Sequence, residues 1–146
     1  MVVDYQKALE VATAAHDGYT DKVGVAYIQH PLAVAAAVEG TQEKIVALLH
    51  DVVEDTEVTL DDLRGHGFDE IIIAAVDAIT KRKGEPLEDY LARVKANPVA
   101  LAVKFADIQH NMLPERHQKL SSETKKRLHV KYDHALRFLR GGLIND

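Results

Sequence analysis

The stretch "ALLHDVVEDTEVTLDDL" (47–63) decides how this chain is read. Leading into it, Ile45, Val46, Leu48, Leu49 and Val52 fall at helical spacing, so residues 42–52 read as a helix with a buried face. Downstream, Thr59 followed by Asp62 makes a capping-box pattern that opens a second, short helix. Between the two lie His50, Asp51, Glu54, Asp55 and Glu57. Carboxylates set directly against an apolar run are costly unless they are paired or ligated. The stretch therefore implies both a helical fold and a chemical site built into it.

Outward from this point the chain reads as helix almost throughout. Residues 3–16 carry apolar positions at Val3, Leu9, Val11 and Ala12 with alanines between, and the polar "DGYTDKVG" (17–24) is a loop. A helix at 30–40 has Pro31 near its start, where a missing N–H costs nothing, and Gly40 as its expected C-terminal cap. Further helices are expected at 69–80, 87–95, 98–112 (opened by Asn97-Pro98) and 122–139. The β-branched run 71–73 sits among alanines and acids and is assigned to helix. "KRKGEP" (81–86) is a charged loop whose Lys81, Arg82 and Lys83 read as solvated, and the tail "GGLIND" frays. No alternating strand pattern, internal repeat or linker interrupts the chain. The expected architecture is an all-α, single-core bundle in one domain over 1–146, with the motifs at 16–112 and a packing helix at 122–140.

Composition narrows the chemistry. The 146 residues contain no cysteine, which excludes disulfides, thiolate metal sites and cysteine nucleophiles. The net charge is −5, and the densest basic run, "KKRLHVK" (125–131), reads as a solvated helix face, so a duplex nucleic-acid partner is not expected. No apolar run is long enough to cross a bilayer and the N-terminus lacks the features of a secretory signal, so a cytoplasmic protein without a membrane partner is expected.

Three segments place ligand-type side chains at apolar helix ends. They are His30 in "AYIQHP", the His50–Asp51 pair, and Asp107 in "VKFADIQHNM", where Asp107, His110 and Asn111 share one helical face. Converged on one ion, His30, His50, Asp51 and Asp107 supply two nitrogens and two oxygens. That set suits Mn²⁺, Fe²⁺, Ni²⁺ or Mg²⁺ better than a closed structural zinc site. Glu54 and Asp55 then lie within reach of a metal-bound water as general-base or orienting groups. The second "HD" pair, His16–Asp17, is not assigned to metal, and Lys104 and Arg116 are open between phosphate contact and helix decoration.

The segments "HDGYTDKVGVAYIQHP" (16–31), "ALLHDVVEDTEVTLDDL" (47–63), "VDAITKRKGEP" (76–86) and "VKFADIQHNM" (103–112) together resemble the HD-domain metal-dependent phosphohydrolases. More narrowly, they resemble the hydrolase domain of the RelA/SpoT alarmone family. The resemblance implies an all-α HD-domain helical bundle holding Mn²⁺ through His30, His50, Asp51 and Asp107. It implies water activation by Glu54 and Asp55, and substrate contacts from Lys22 and Asn111. The implied reaction removes the 3′-pyrophosphate of guanosine tetra- or pentaphosphate, releasing GDP or GTP, in a stand-alone hydrolase. Two positions depart from the family pattern: Asp21 and Ile108 stand where arginines are usual. They keep open an HD hydrolase acting on another nucleotide or phosphorylated metabolite. A non-catalytic nucleotide-binding helical module is the third reading.

Overall fold

The structure is a computed structural model and describes residues 5–18, 28–114 and 120–140. The expectations placed on Asp21, Lys22, Arg116 and the tail lie outside the described residues. Among those described, nine helices form: α1 (Tyr5–Ala15), α2 (Gln29–Ala37), α3 (Thr41–Leu49), α4 (Val52–Asp55), α5 (Leu60–Gly65), α6 (Glu70–Ile79), α7 (Leu87–Lys95), α8 (Pro98–Asn111) and α9 (Ser122–Leu139). Strands are absent from the described residues, and no described helix is long and apolar enough to cross a membrane.

Local chemistry accounts for most of the boundaries. Thr59 accepts from the Asp62 N–H while the Asp62 carboxylate accepts from the Thr59 N–H, the full capping box that opens α5. Asp69 caps α6, Asn97 caps α8 ahead of Pro98, and Ser121 caps α9, each through a side-chain oxygen accepting from the N–H three residues on. Of the isoleucines at 71–73, Ile72 and Ile73 are buried and Ile71 faces out, the split expected of an amphipathic helix.

Two boundaries differ from the sequence reading. The helix expected at 30–40 stops at Ala37, and Gly40 is not its cap but the extended residue that opens α3. The free carbonyls at the end of α2 are met instead by a side chain from the next helix: Lys44 Nζ donates to Ala35 O at 2.9 Å and Val38 O at 2.7 Å. With that cation in place, no left-handed glycine is needed. The helix expected at 42–52 also ends early, at Leu49; His50 and Asp51 form a turn, and α4 begins at Val52.

The core sits between α3 and α8. Residues Ile45 to Leu49 of α3 are all buried, and α3 packs against α1, α2, α6 and α8. Helix α8 meets α2, α3, α6, α7 and α9. Leu48, Leu49, Leu63, Ile73, Leu91 and Ile108 are among the largest fully enclosed side chains. Each contributes about 1.5–3 kcal/mol of apolar burial. The start of α2, the α3–α4 turn and the third turn of α8 are thereby fixed on one side of the core.

Candidate metal centre and active site

Tertiary packing brings His30, His50, Asp51 and Asp107 together, with one ligand atom of each within 4.8 Å of all the others. His30 lies in the first turn of α2 and Asp107 in α8; His50 and Asp51 occupy the α3–α4 turn. The turn matters because neighbours on an unbroken helix point about 100° apart. Here Asp51 Oδ2 comes to 3.1 Å from His50 Nε2. His30, His50 and Asp107 are all but fully buried, at 4, 2 and 6% exposed. Donors about 2.1 Å from one ion are separated by about 3 to 4.3 Å, so the cluster is of the right size for a divalent metal.

The outer contacts of the histidines turn the same nitrogen of each ring inward. His50 Nδ1 donates to Ala47 O at 2.5 Å, which leaves Nε2 to face Asp107 Oδ1 at 3.2 Å. His30 Nε2 lies 2.7 Å from the same Asp107 oxygen. Its Nδ1 is 2.6 Å from Nδ1 of His110, whose ring stacks on it at 4.8 Å between centroids. Two ring nitrogens at that distance share one proton. For His30 Nε2 to offer a lone pair to an ion, the proton must sit on His30 Nδ1 and His110 must accept it. This is the arrangement by which outer partners set a ligand's tautomer. The sequence reading put His110 on the right helix face without giving it a role.

Asp107 gathers four polar partners: His30 and His50, Lys104 Nζ on its other oxygen at 3.1 Å, and Asn111 Nδ2 on Oδ1 at 3.2 Å. Burial alone would raise its pKa. The Lys104 ammonium and the two imidazoles outweigh this and hold the carboxyl well below its ordinary range. Burial likewise disfavours charge on His50, but the Asp51 and Asp107 carboxylates more than offset it, so His50 is raised well above its usual value. Lys104 is raised too: burial opposes its charge and is outweighed by Asp107 and by Tyr90, whose ring lies 5.3 Å from its Nζ. Lys104 is therefore tied into the cluster rather than decorating a helix. His16 is buried beside this group and lowered by that burial, with His50 and His30 adding to it against the pull of Asp51, but it is not one of the four converging residues.

The cluster forms one wall of a cavity of about 240 Å³. Glu54, Asp55 and Asn111 line it, together with Lys81, Lys104, Lys131 and Tyr132. Glu54 does not align with His50 on a continuous helix; its Oε1 accepts the Lys81 N–H at 2.9 Å. Lys81 is exposed, yet it borders the cavity rather than open solvent alone. Lys131 and Tyr132 come from α9, which the motifs did not implicate. Their only sequence signal is the helical register that places Tyr132 on the inward face with Ala135 and Leu136. The wall sets three lysines against four carboxylates, and a divalent ion held by the cluster would leave it one positive charge in excess, which would suit an anionic ligand.

No protein-family model matches the chain. It is 34% identical over 134 residues to a GTP pyrophosphokinase of Streptomyces coelicolor, matching 83% of this chain and 16% of that protein. It is 35% identical over 136 residues to the guanosine-3′,5′-bis(diphosphate) 3′-pyrophosphohydrolase of Vibrio cholerae, matching 78% of this chain and 19% of the relative. The bifunctional (p)ppGpp synthase/hydrolase SpoT of Escherichia coli is 29% identical over 140 residues. The chain thus spans about a fifth or less of the length of these relatives. A solved structure described as a metazoan orthologue of SpoT that hydrolyses ppGpp superposes with a TM-score of 0.77 at 21% identity, covering 94% of this chain and 86% of that one. At that identity the likeness establishes the shared all-α fold.

Proposed function

From the premise that this chain is a homologue of the RelA/SpoT enzymes over about four fifths of its length, with an all-α HD-domain fold, we propose that it is a divalent-metal-dependent phosphohydrolase. Its substrate in this reading is guanosine tetra- or pentaphosphate, from which it removes the 3′-pyrophosphate to release GDP or GTP. The observation that carries the reading is the convergence of two histidines and two aspartates on one point, with Glu54 and Asp55 in the same cavity.

His30, His50, Asp51 and Asp107 would hold the ion, and this nitrogen–oxygen set suits Mn²⁺, Fe²⁺, Ni²⁺ or Mg²⁺, of which the family resemblance favours Mn²⁺. When bound, such an ion polarises a phosphoryl oxygen and makes its bound water more acidic. The chain supplies the rest. Glu54 and Asp55 orient the attacking water and take its proton. Lys81, Lys104 and Lys131 neutralise phosphate charge as the substrate enters. Asn111, which also bonds Asp107, faces the nucleotide side of the cavity, and Lys22 of the preceding loop completes the substrate contacts. The protein is expected to act in the cytoplasm.

The test is product analysis of guanosine tetraphosphate incubated with the protein and Mn²⁺, with Asp51→Ala as control. GDP and pyrophosphate from the wild type alone support the reading; an intact substrate overturns it. A second reading, an HD hydrolase of another nucleotide or phosphorylated metabolite, is favoured by one observation. Ile108, where the family pattern has an arginine, is fully enclosed and contributes no cation to the wall. A panel of phosphorylated substrates separates the two.

A further inference from the structure

Glu54 stands on α4, a single turn of four residues, and its side chain is exposed. A helix this short has little stability of its own, and an exposed glutamate samples several rotamers. A base that must meet one particular water needs more definition than that. The Lys81 N–H supplies it by holding Oε1 at 2.9 Å, which leaves Oε2 for the cavity.

The direction of that N–H is in turn fixed from a third helix. Lys81 follows the last residues of α6, whose terminal carbonyls have no partner within their own helix. Side chains of α7 take them up: Tyr90 Oη donates to Ile79 O at 2.7 Å and Arg93 Nη2 to Thr80 O at 2.8 Å. The same guanidinium grips Glu85 at the far end of the loop with both Nη atoms, and Glu85 accepts the Arg82 N–H at 3.0 Å. The Arg93 and Glu85 side chains are 22 and 12% exposed, so this fork is largely shielded from water. Residues 80–85 are thereby closed into a ring around one guanidinium, and the ring's backbone reaches Glu54.

We propose that Arg93, through Thr80, Glu85 and the Lys81 amide, is the positioning residue for Glu54. It touches neither the four converging ligands nor any reacting atom, and its effect passes entirely through the carboxylate it aims. The inference rests on Glu54 acting as base in the proposed function, so its test has an arm that needs no turnover.

In the first arm, amide hydrogen exchange is followed at Lys81. The wild type is expected to protect this amide, and Glu54→Ala and Arg93→Ala each to speed its exchange at least tenfold. In the second arm, Arg93→Ala is expected to lower kcat about tenfold, a part of the 10²–10⁴-fold a general base contributes. KM and the Mn²⁺ dissociation constant should stay within about twofold. In a Glu54→Gln background the same substitution should cost nothing further, because there is no base left to aim. Arg93→Lys, which keeps a cation for Glu85 but cannot also reach Thr80 O, should fall between and carries the test if the alanine variant does not fold. Equal losses with and without Glu54, or a Lys81 amide that exchanges as fast in the wild type as in Glu54→Ala, overturn the proposal. If the wild type turns over no phosphorylated substrate, the proposed function falls, and the exchange arm alone decides whether Arg93 aims Glu54.

Discussion

Removing Asp107 should destabilise the metal-free protein, not merely disable it. Its side chain is 9% exposed and its carboxylate is the shared acceptor for His30, His50, Asn111 and Lys104. In Asp107→Ala the Lys104 ammonium loses its ion-pair partner while still largely enclosed, and the raised His50 keeps only one carboxylate, Asp51. Deleting one member of a buried pair typically costs about 3–5 kcal/mol, because the other charge is left desolvated. The Lys104 side chain is 19% exposed and borders the cavity, so some hydration is recovered and the lower end applies, about 3 kcal/mol. For a domain of this size that is a fall in melting temperature of about 6–12 °C. Thermal unfolding in a chelator reads it directly. Asp107→Ala combined with Lys104→Met removes the stranded charge and should regain at least half of the loss. A chelated Asp107→Ala that melts with the wild type, or a double variant whose losses simply add, would show that no buried charge is stranded at Lys104. With Mn²⁺ at a hundred times its dissociation constant, the wild type should gain about 2.7 kcal/mol and Asp107→Ala much less.

Other expectations follow from single contacts. His110→Phe keeps the stack on His30 but loses the acceptor for its Nδ1, and should weaken Mn²⁺ binding by about 10–100-fold in calorimetry; unchanged affinity would mean that His30 needs no outer partner. Glu85 is lowered to about 2, first by the Arg93 bond and then by the Arg82 N–H. A depressed carboxylate stabilises the fold above its ordinary pKa near 4.5 and loses that contribution as pH falls through about 2. Urea melts from pH 5 to pH 2 should therefore be flatter for Glu85→Gln than for the wild type, and parallel curves would contradict the pairing. Ile108 is fully enclosed yet borders the cavity, so in Ile108→Arg the longer side chain must repack its neighbours while its guanidinium can reach the cavity, and the cost should be about 1–3 kcal/mol; a loss well above that in chemical denaturation would show that the charge stays trapped in the core.

The helices were legible because their determinants are local. Capping pairs at Thr59–Asp62, Asp69, Asn97 and Ser121 act across three residues, and the apolar periodicity of α3, α6 and α8 is written into each segment. The chemistry of the candidate site was also legible as residue types: two imidazoles, four carboxylates and no thiol left few ways to arrange an ion and a base. Gly40 was misread because the partner that satisfies the end of α2 is Lys44, on the next helix, and a glycine after an apolar run carries the same local signal in either role.

What needed the tertiary structure is every contact that crosses between helices. The proton shared by His30 and His110 spans 80 positions, and the Lys81 amide that holds Glu54 spans 27. The break at His50–Asp51 that lets adjacent side chains meet, and the arrival of Tyr132 at the cavity, likewise depend on how α3, α8 and α9 pack. Helical periodicity fixes which face of a segment is apolar, and hence that these residues lie near helix ends against the core. The direction in which each end points is set by the fit of one helix on another, which no single segment encodes. The sequence by itself therefore determined which atoms were available to the site, and packing decided which nitrogen, which oxygen and which proton each of them presents.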